Sequence, residues 1–263
     1  MNTPDTSEHT FTPRPGSAPL GRQVLVQSRM ETRLLLRNGE QLLLAVVIPL
    51  IVLVGGILAA DSIDLTFSHG AIDTLTPGVI ALAIMSTSFT SLAITTGFER
   101  RYGVLKRLGS SPLPRSGLLA GKVGALLFVE LLQVVVIGLV ALALGWGWTT
   151  SAAGLLGFVG CVLLGTAAFA SLGLFIAGVL RAEATLAAAN LVYLLLMAGG
   201  AVVLPTTSYG RAGALLAWLP SGALGDGLRT VFLDAAFPAL PLAVLAAWAA
   251  VGTFLTARTF KWE

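Results

Sequence analysis

The chain has 263 residues, of which 56% are hydrophobic and only 11% charged, with a mean hydropathy of +0.87, whereas a soluble domain carries roughly a quarter charged residues. That balance excludes a soluble globular fold and predicts an all-α polytopic membrane protein, because helices satisfy their own backbone polar groups in lipid. One cysteine, Cys161, and two histidines far apart in polar stretches, His9 and His69, exclude a disulfide framework and a metal centre built on Cys and His.

Residues 1–19 are rich in Pro, Thr and Ser, have no apolar core and lack a signal-peptide pattern, so they are expected to form a disordered cytoplasmic tail. Residues 20–41 are expected to form an interfacial amphipathic helix: Arg22, Arg29, Arg33 and Arg37 project within one arc of a helical wheel, placed to face lipid phosphates. Gln27 and Glu31 interrupt its apolar side, which leaves ordinary flanking positive charge as the alternative reading. Residues 42–263 are expected to hold six transmembrane helices. Apolar runs at Leu42–Ala60, Pro77–Thr96, Val123–Leu144, Ala152–Leu180, Ala184–Leu204 and Ala239–Ala257 each reach about the 20 residues that cross the hydrocarbon. The fourth is over-long and is expected to tilt or to extend beyond the lipid.

Lysine and arginine set the orientation. Arg14, Arg22, Arg29, Arg33 and Arg37 precede the first span; Arg100, Arg101, Lys106, Arg107, Arg115 and Lys122 fill the loop after the second; Arg181 follows the fourth; Arg258 and Lys261 follow the sixth. Only Arg211 and Arg229 are left for the other side. Both termini are therefore expected to be cytoplasmic. On the outside lie the Asp61–Thr76 segment with Asp61, Asp64 and Asp73, the tight Gly145–Ser151 turn with Trp146 and Trp148 as interface anchors, and the longer Pro205–Pro238 segment.

The loop from Gly97 to Lys122, GFERRYGVLKRLGSSPLPRSGLLAGK, is the most distinctive stretch. Phe98, Tyr102 and Leu105 recur at helical spacing, with Arg100 and Arg107 on the opposite side, so a short amphipathic helix suited to docking a cytoplasmic partner is expected. Deep in the third span, Glu130 is the one acidic residue, with Gln133 one turn away on the same face. A carboxylate there must face a helix bundle or an aqueous path. It lines a transport route or carries protons on one reading, and anchors a neighbouring helix on the other. The Pro205–Pro238 segment is too interrupted by Pro220, Gly222, Gly225 and Gly227 for a span, yet too apolar for a simple loop. Two short helices dipping into the outer leaflet fit it, as an outer gate or as a packed cap.

Signals for chemistry are absent. Gly117–Lys122 has the look of a phosphate-binding loop, but its glycines stand too close and Val123 occupies the place of the needed Ser or Thr. No metalloprotease or nucleophile-elbow motif occurs, and nucleic-acid binding is excluded because the basic residues track membrane topology.

On these residues the loop resembles that of the permeases of ABC type-2 exporters, the class that moves drugs, antibiotics, polysaccharides and lipids. The match runs through Glu99 and Arg100, then Gly103, Leu105 and Leu108, then Pro112, Leu113, Leu119, Gly121 and Lys122, and more weakly through Leu219, Pro220, Leu228 and Arg229 before the last span. The resemblance implies that Glu99 to Pro112, including Arg101 and Arg107, forms a coupling helix seated on a separate ATPase dimer. That partner would hold ATP and Mg, with no cofactor on this chain. A second permease copy or a sister permease would complete the route, and Pro220 and Arg229 would belong to an outer gate. Arg101 departs from the pattern, standing where an acidic residue is common. Two alternatives come from other classes: a proton-coupled secondary transporter using Glu130, and a non-transporting membrane scaffold.

Overall fold

The computed structural model describes residues 18–37, 39–62, 67–108 and 113–259. Except for residues 18 and 19, the expected tail therefore lies outside the described residues. Among them the fold is all-helical: α1 Leu20–Arg37, α2 Gly39–Ser62, α3 Ala71–Arg101, α4 Val104–Leu108, α5 Arg115–Ala143, α6 Ala152–Val179 and α7 Ala182–Gly199. A 3-10 turn at Thr206–Ala212 follows, then α8 Gly213–Leu216, α9 Pro220–Phe232 and α10 Ala239–Thr259. Five of these, α3, α5, α6, α7 and α10, are long and apolar enough to cross a membrane. The remaining expected span, the first, Leu42–Ala60, falls in α2, whose apolar part, Ala45–Ala60, is shorter. α2 also takes up residues 39–41, which the sequence assigns to the interfacial helix.

α3 is the central element. It is apolar all round from Val79 to Met85, and every one of those residues is buried, the behaviour of a helix enclosed by others. It runs for 31 residues, well beyond the expected Pro77–Thr96. Its middle, Ser86–Ser91, widens into a π-helical segment in the sequence STSFTS. Hydroxyls that compete for backbone acceptors suit such a widening, as Ser88 does by donating to Ile84 O at 2.5 Å.

Around α3 the other spans turn Leu131, Leu139, Leu156, Leu195, Val251 and Phe254 outward, while Glu130, Gln133, Thr166 and Arg229 are buried. Apolar outside and polar inside is the arrangement that lipid imposes. α1 lies across the start of α5, where a Cβ on Gly121 would come within 2.5 Å of Gln27 Cγ, so only glycine admits the approach. α6 is capped by Ser151, whose Oγ accepts from Gly154 N at 2.9 Å. α7 ends five residues before the expected Leu204, because Gly199, Gly200 and then Ala201, at φ +54°, break it.

The chain re-enters after that break. α9 is almost wholly buried, and Leu224 meets Gly165, thirteen residues into α6 and so roughly 20 Å along it. Trp146, expected at the interface, is instead buried against Phe232 with ring centroids 5.2 Å apart; only Trp148 is exposed. Phe232 supplies the apolar wall that draws Trp146 inward.

Candidate functional site

The end of the molecule that carries α1 gathers the residues singled out by the loop motif. α3 ends at Arg101, Tyr102 and Gly103 turn with Gly103 at φ +68°, and α4 follows as a separate five-residue helix. One continuous amphipathic helix does not form, because the Gly103 conformation ends the α3 ladder. Phe98 and Tyr102 do share a face, stacked at 6.2 Å, but Leu105 is only 2% exposed and packs into this chain's own interior. The exposed surface of the turn is Arg101, Tyr102, Val104, Lys106 and Arg107; Leu108 is half-buried and Pro112 lies outside the described residues.

Behind this surface lies a buried ion cluster. Lys122 Nζ on α5 lies 2.7 Å from Glu99 Oε1 on α3 and 3.0 Å from Glu31 Oε1 on α1, and Gln27 Nε2 donates to Glu31 Oε1 at 2.8 Å. The three ionic side chains are 5%, 16% and 8% exposed. One ammonium thus joins three helices at the foot of the turn, and two carboxylates against one cation leave Glu99 Oε2 without a partner. Gln27 and Glu31 do not interrupt an apolar side of α1; they are its inward face, while Leu25, Val26, Met30 and Leu34 are exposed beside the arginines. The sequence signal for this was their i, i+4 spacing.

Arg100 and Arg101 act on the neighbouring helix turn. Arg100 donates through Nη1 to Gly178 O and through Nη2 to Leu180 O at 2.7 Å, satisfying carbonyls that the end of α6 leaves open. Arg101 pairs with Glu183 in the first turn of α7 and lies over the Tyr102 ring at 5.8 Å. The extra positive charge of Arg101 is therefore met within the chain.

Glu130 and Gln133 sit in the helix interior, both 0% exposed. The Thr166 hydroxyl donates to Glu130 Oε2 at 2.6 Å, joining α5 to α6, and Glu130 Oε1 has no partner. Gln133 Nε2 donates to Ala45 O at 2.9 Å and its Oε1 accepts from Thr87 at 2.9 Å, joining α5 to α2 and to the π segment.

At the opposite end Pro220 opens α9, where its missing N–H costs nothing. Arg229, 5% exposed, donates to Thr74 O at 3.3 Å, to Val202 O at 2.9 Å and to Val203 O, and pairs with Asp226 at 2.9 Å. Asp226 in turn accepts from the Thr206 hydroxyl at 2.5 Å. The backbone exposed by the break after α7 is thereby satisfied. The motif does not mark Asp226 or Thr206, although Asp226 stands three residues before Arg229 on α9 and Thr206 only twenty before Asp226. Beside α9 an apolar cleft of about 380 Å³ is lined by Leu139, Trp146, Leu155, Phe158 and Phe232.

Comparison with curated proteins finds no match. The profile described as ABC-2 type transporter matches residues 19–233, from the start of α1 to just past α9, and so takes in the turn, the ion cluster and the re-entrant segment. A match over most of the chain shows that this multi-pass membrane protein belongs to the ABC-2 type transporter family, as the permease component of an ABC transporter.

Proposed function

We propose that this permease works as an exporter of hydrophobic or amphiphilic molecules across the plasma membrane, driven by a separate ATPase dimer that docks at the Glu99–Pro112 segment. In this reading α2 is the first of six spans, both termini are cytoplasmic, ATP and Mg sit on the partner, and a second permease copy or sister permease completes the route. The observation that carries it is the way the turn is wired. Its exposed residues follow in sequence directly on Glu99, which Lys122 ties to α1 and α5, and on Arg100, which grips the α6–α7 connection. A push on the turn therefore reaches four spans and the interfacial helix without a flexible intermediary. The apolar cleft beside α9 supports a hydrophobic occupant, and the Arg229 network supports α9 as an outer barrier moved as a unit. The hydrogen bond from Thr166 favours Glu130 as an anchor over a proton carrier.

The test changes only exposed residues. Tyr102→Asp combined with Lys106→Glu leaves insertion and folding intact, and is expected to abolish co-purification with the ATPase and transport-coupled ATP hydrolysis in proteoliposomes. Wild-type coupling in that double variant sinks the docking assignment.

A further inference from the structure

The corner where α3 ends and α6 turns into α7 holds a cavity of about 350 Å³ lined by Gly97, Arg100, Arg101, Arg181, Ala182 and Glu183. Its charged groups are three guanidinium groups and one carboxylate. Arg100 is committed to the Gly178 and Leu180 carbonyls and Arg101 to Glu183, yet a guanidinium has five N–H donors, so both retain donors beyond these contacts. Arg181 is exposed and makes no ion pair among the described residues. The corner therefore carries net positive charge, focused in a concavity and offset only by Glu183.

We propose that this corner binds the headgroup of an anionic phospholipid, with Arg181 as the principal phosphate ligand and Arg100 and Arg101 completing the positive rim. Two observations favour a lipid over a protein carboxylate. The cavity opens where two membrane-crossing helices end, the level at which headgroups lie, and basic pockets between spans at that level select anionic lipids. The apolar side chains next to it, Val179 at 54% and Leu186 at 41% exposed, continue from the charged rim onto the outward faces of α6 and α7, where acyl chains would run. The exposed Tyr102 ring beside Arg101 adds an interfacial aromatic group. The inference needs only that the chain is a membrane protein; it stands whether or not the turn docks an ATPase.

The experiment uses the full chain in neutral detergent, titrated with phosphatidylglycerol, phosphatidylcholine and glycerol phosphate, with bound lipid read by native mass spectrometry. The expected result is saturable binding of phosphatidylglycerol well above phosphatidylcholine. Arg181→Gln should weaken it about fivefold, the effect of one basic group at an anionic lipid surface. Glu183→Gln should strengthen it by removing the opposing charge and freeing Arg101, an outcome that a merely structural role does not produce. Arg258→Gln, at the same end but stacked 4.5 Å over Phe254, should change nothing. Equal binding of the two lipids, or unchanged affinity in Arg181→Gln, overturns the proposal. So does competition by glycerol phosphate as strong as that by the lipid, which marks a free-phosphate site. Retained lipid binding with lost ATPase co-purification in Arg181→Gln marks a protein dock and also overturns it. If Arg181→Gln does not fold, the absence of any gain in Glu183→Gln decides against the site.

Discussion

The two ends of the molecule solve one physical problem in different ways. At each, a helix stops and leaves carbonyls without partners, and at each an arginine supplies the donors: Arg100 to Gly178 and Leu180, Arg229 to Val202 and Val203. Around Arg100 the structure is open, with Arg101, Tyr102, Lys106 and Arg107 exposed and a cavity beside them. Around Arg229 it is closed, because the guanidinium is 5% exposed and a Cβ on Gly78 would come within 2.3 Å of Val203 O. An open end can receive another molecule; a closed end can only hold together or come apart. The same residue type thus caps carbonyls at an accessible end and at a sealed one, and burial separates the two.

The comparison breaks most sharply at Arg229. Arg229→Met removes the donors to three carbonyls and takes the cation from half-buried Asp226, a loss of about 3–5 kcal/mol that comes chiefly from the stranded carbonyls at about 1–3 kcal/mol each. The expected outcome is a large fall in thermal stability in detergent, with the re-entrant segment open to proteolysis. Arg229→Lys should recover little, since a single ammonium cannot reproduce the planar fork. A variant as stable as wild type would show that α9 is held by packing alone.

Lys122 comes next. Lys122→Met leaves Glu31 and Glu99 facing each other without a cation, at a cost of about 3 kcal/mol or more. Adding Glu31→Gln and Glu99→Gln should recover most of that stability, because three neutral groups no longer carry an unpaired charge, while coupling to ATP hydrolysis stays impaired. If the triple variant is no more stable than Lys122→Met, charge is not what the cluster supplies.

Arg100→Gln sharpens the contrast with Arg229 directly. It removes the same kind of carbonyl cap, but from a half-buried site where water can replace the donors, so the expected loss is about 1–2 kcal/mol. Thermal unfolding of both variants in one detergent measures the difference, and equal losses would remove the distinction between open and closed ends.

Legibility in the sequence follows the range of the forces. The starts of α6 and α10 are read to the residue because a local signal bounds each apolar run, the Ser151 cap for one and Pro238 for the other. The ends of α3 are misplaced because its ladder continues through polar residues, back to Ala71 and on to Arg101 just before the Gly103 turn, and hydropathy registers lipid rather than hydrogen bonding. The loop motif marks Glu99, Gly121 and Lys122 but not that Glu99 and Lys122 pair, nor that Glu31 joins them. That contact exists only because Gly121 lets α1 lie across α5. Leu105 is buried rather than on the exposed surface of the turn for a related reason: a helical wheel cannot foresee the break at Gly103. Arg229 is singled out from its motif, but its partners lie as far away as Thr74.

Glu130 lies between the two ends and belongs to neither, and it carries the smallest expected effect. Its Oε2 accepts from Thr166 and its Oε1 faces no donor, so the site makes one hydrogen bond to the carboxyl group rather than surrounding it with charge. A glutamine keeps the shape and the acceptor, so Glu130→Gln should change stability by about 1 kcal/mol or less. ATP-driven transport in proteoliposomes should continue near the wild-type rate and remain insensitive to a proton ionophore. Thr166→Val is the matching change on the other side, and should cost slightly more because it strands an acceptor that Gln leaves satisfied. A permease that Glu130→Gln silences while Thr166→Val leaves it active would assign the carboxylate a role in proton movement, and would shift the centre of function from the open end to the middle of α5.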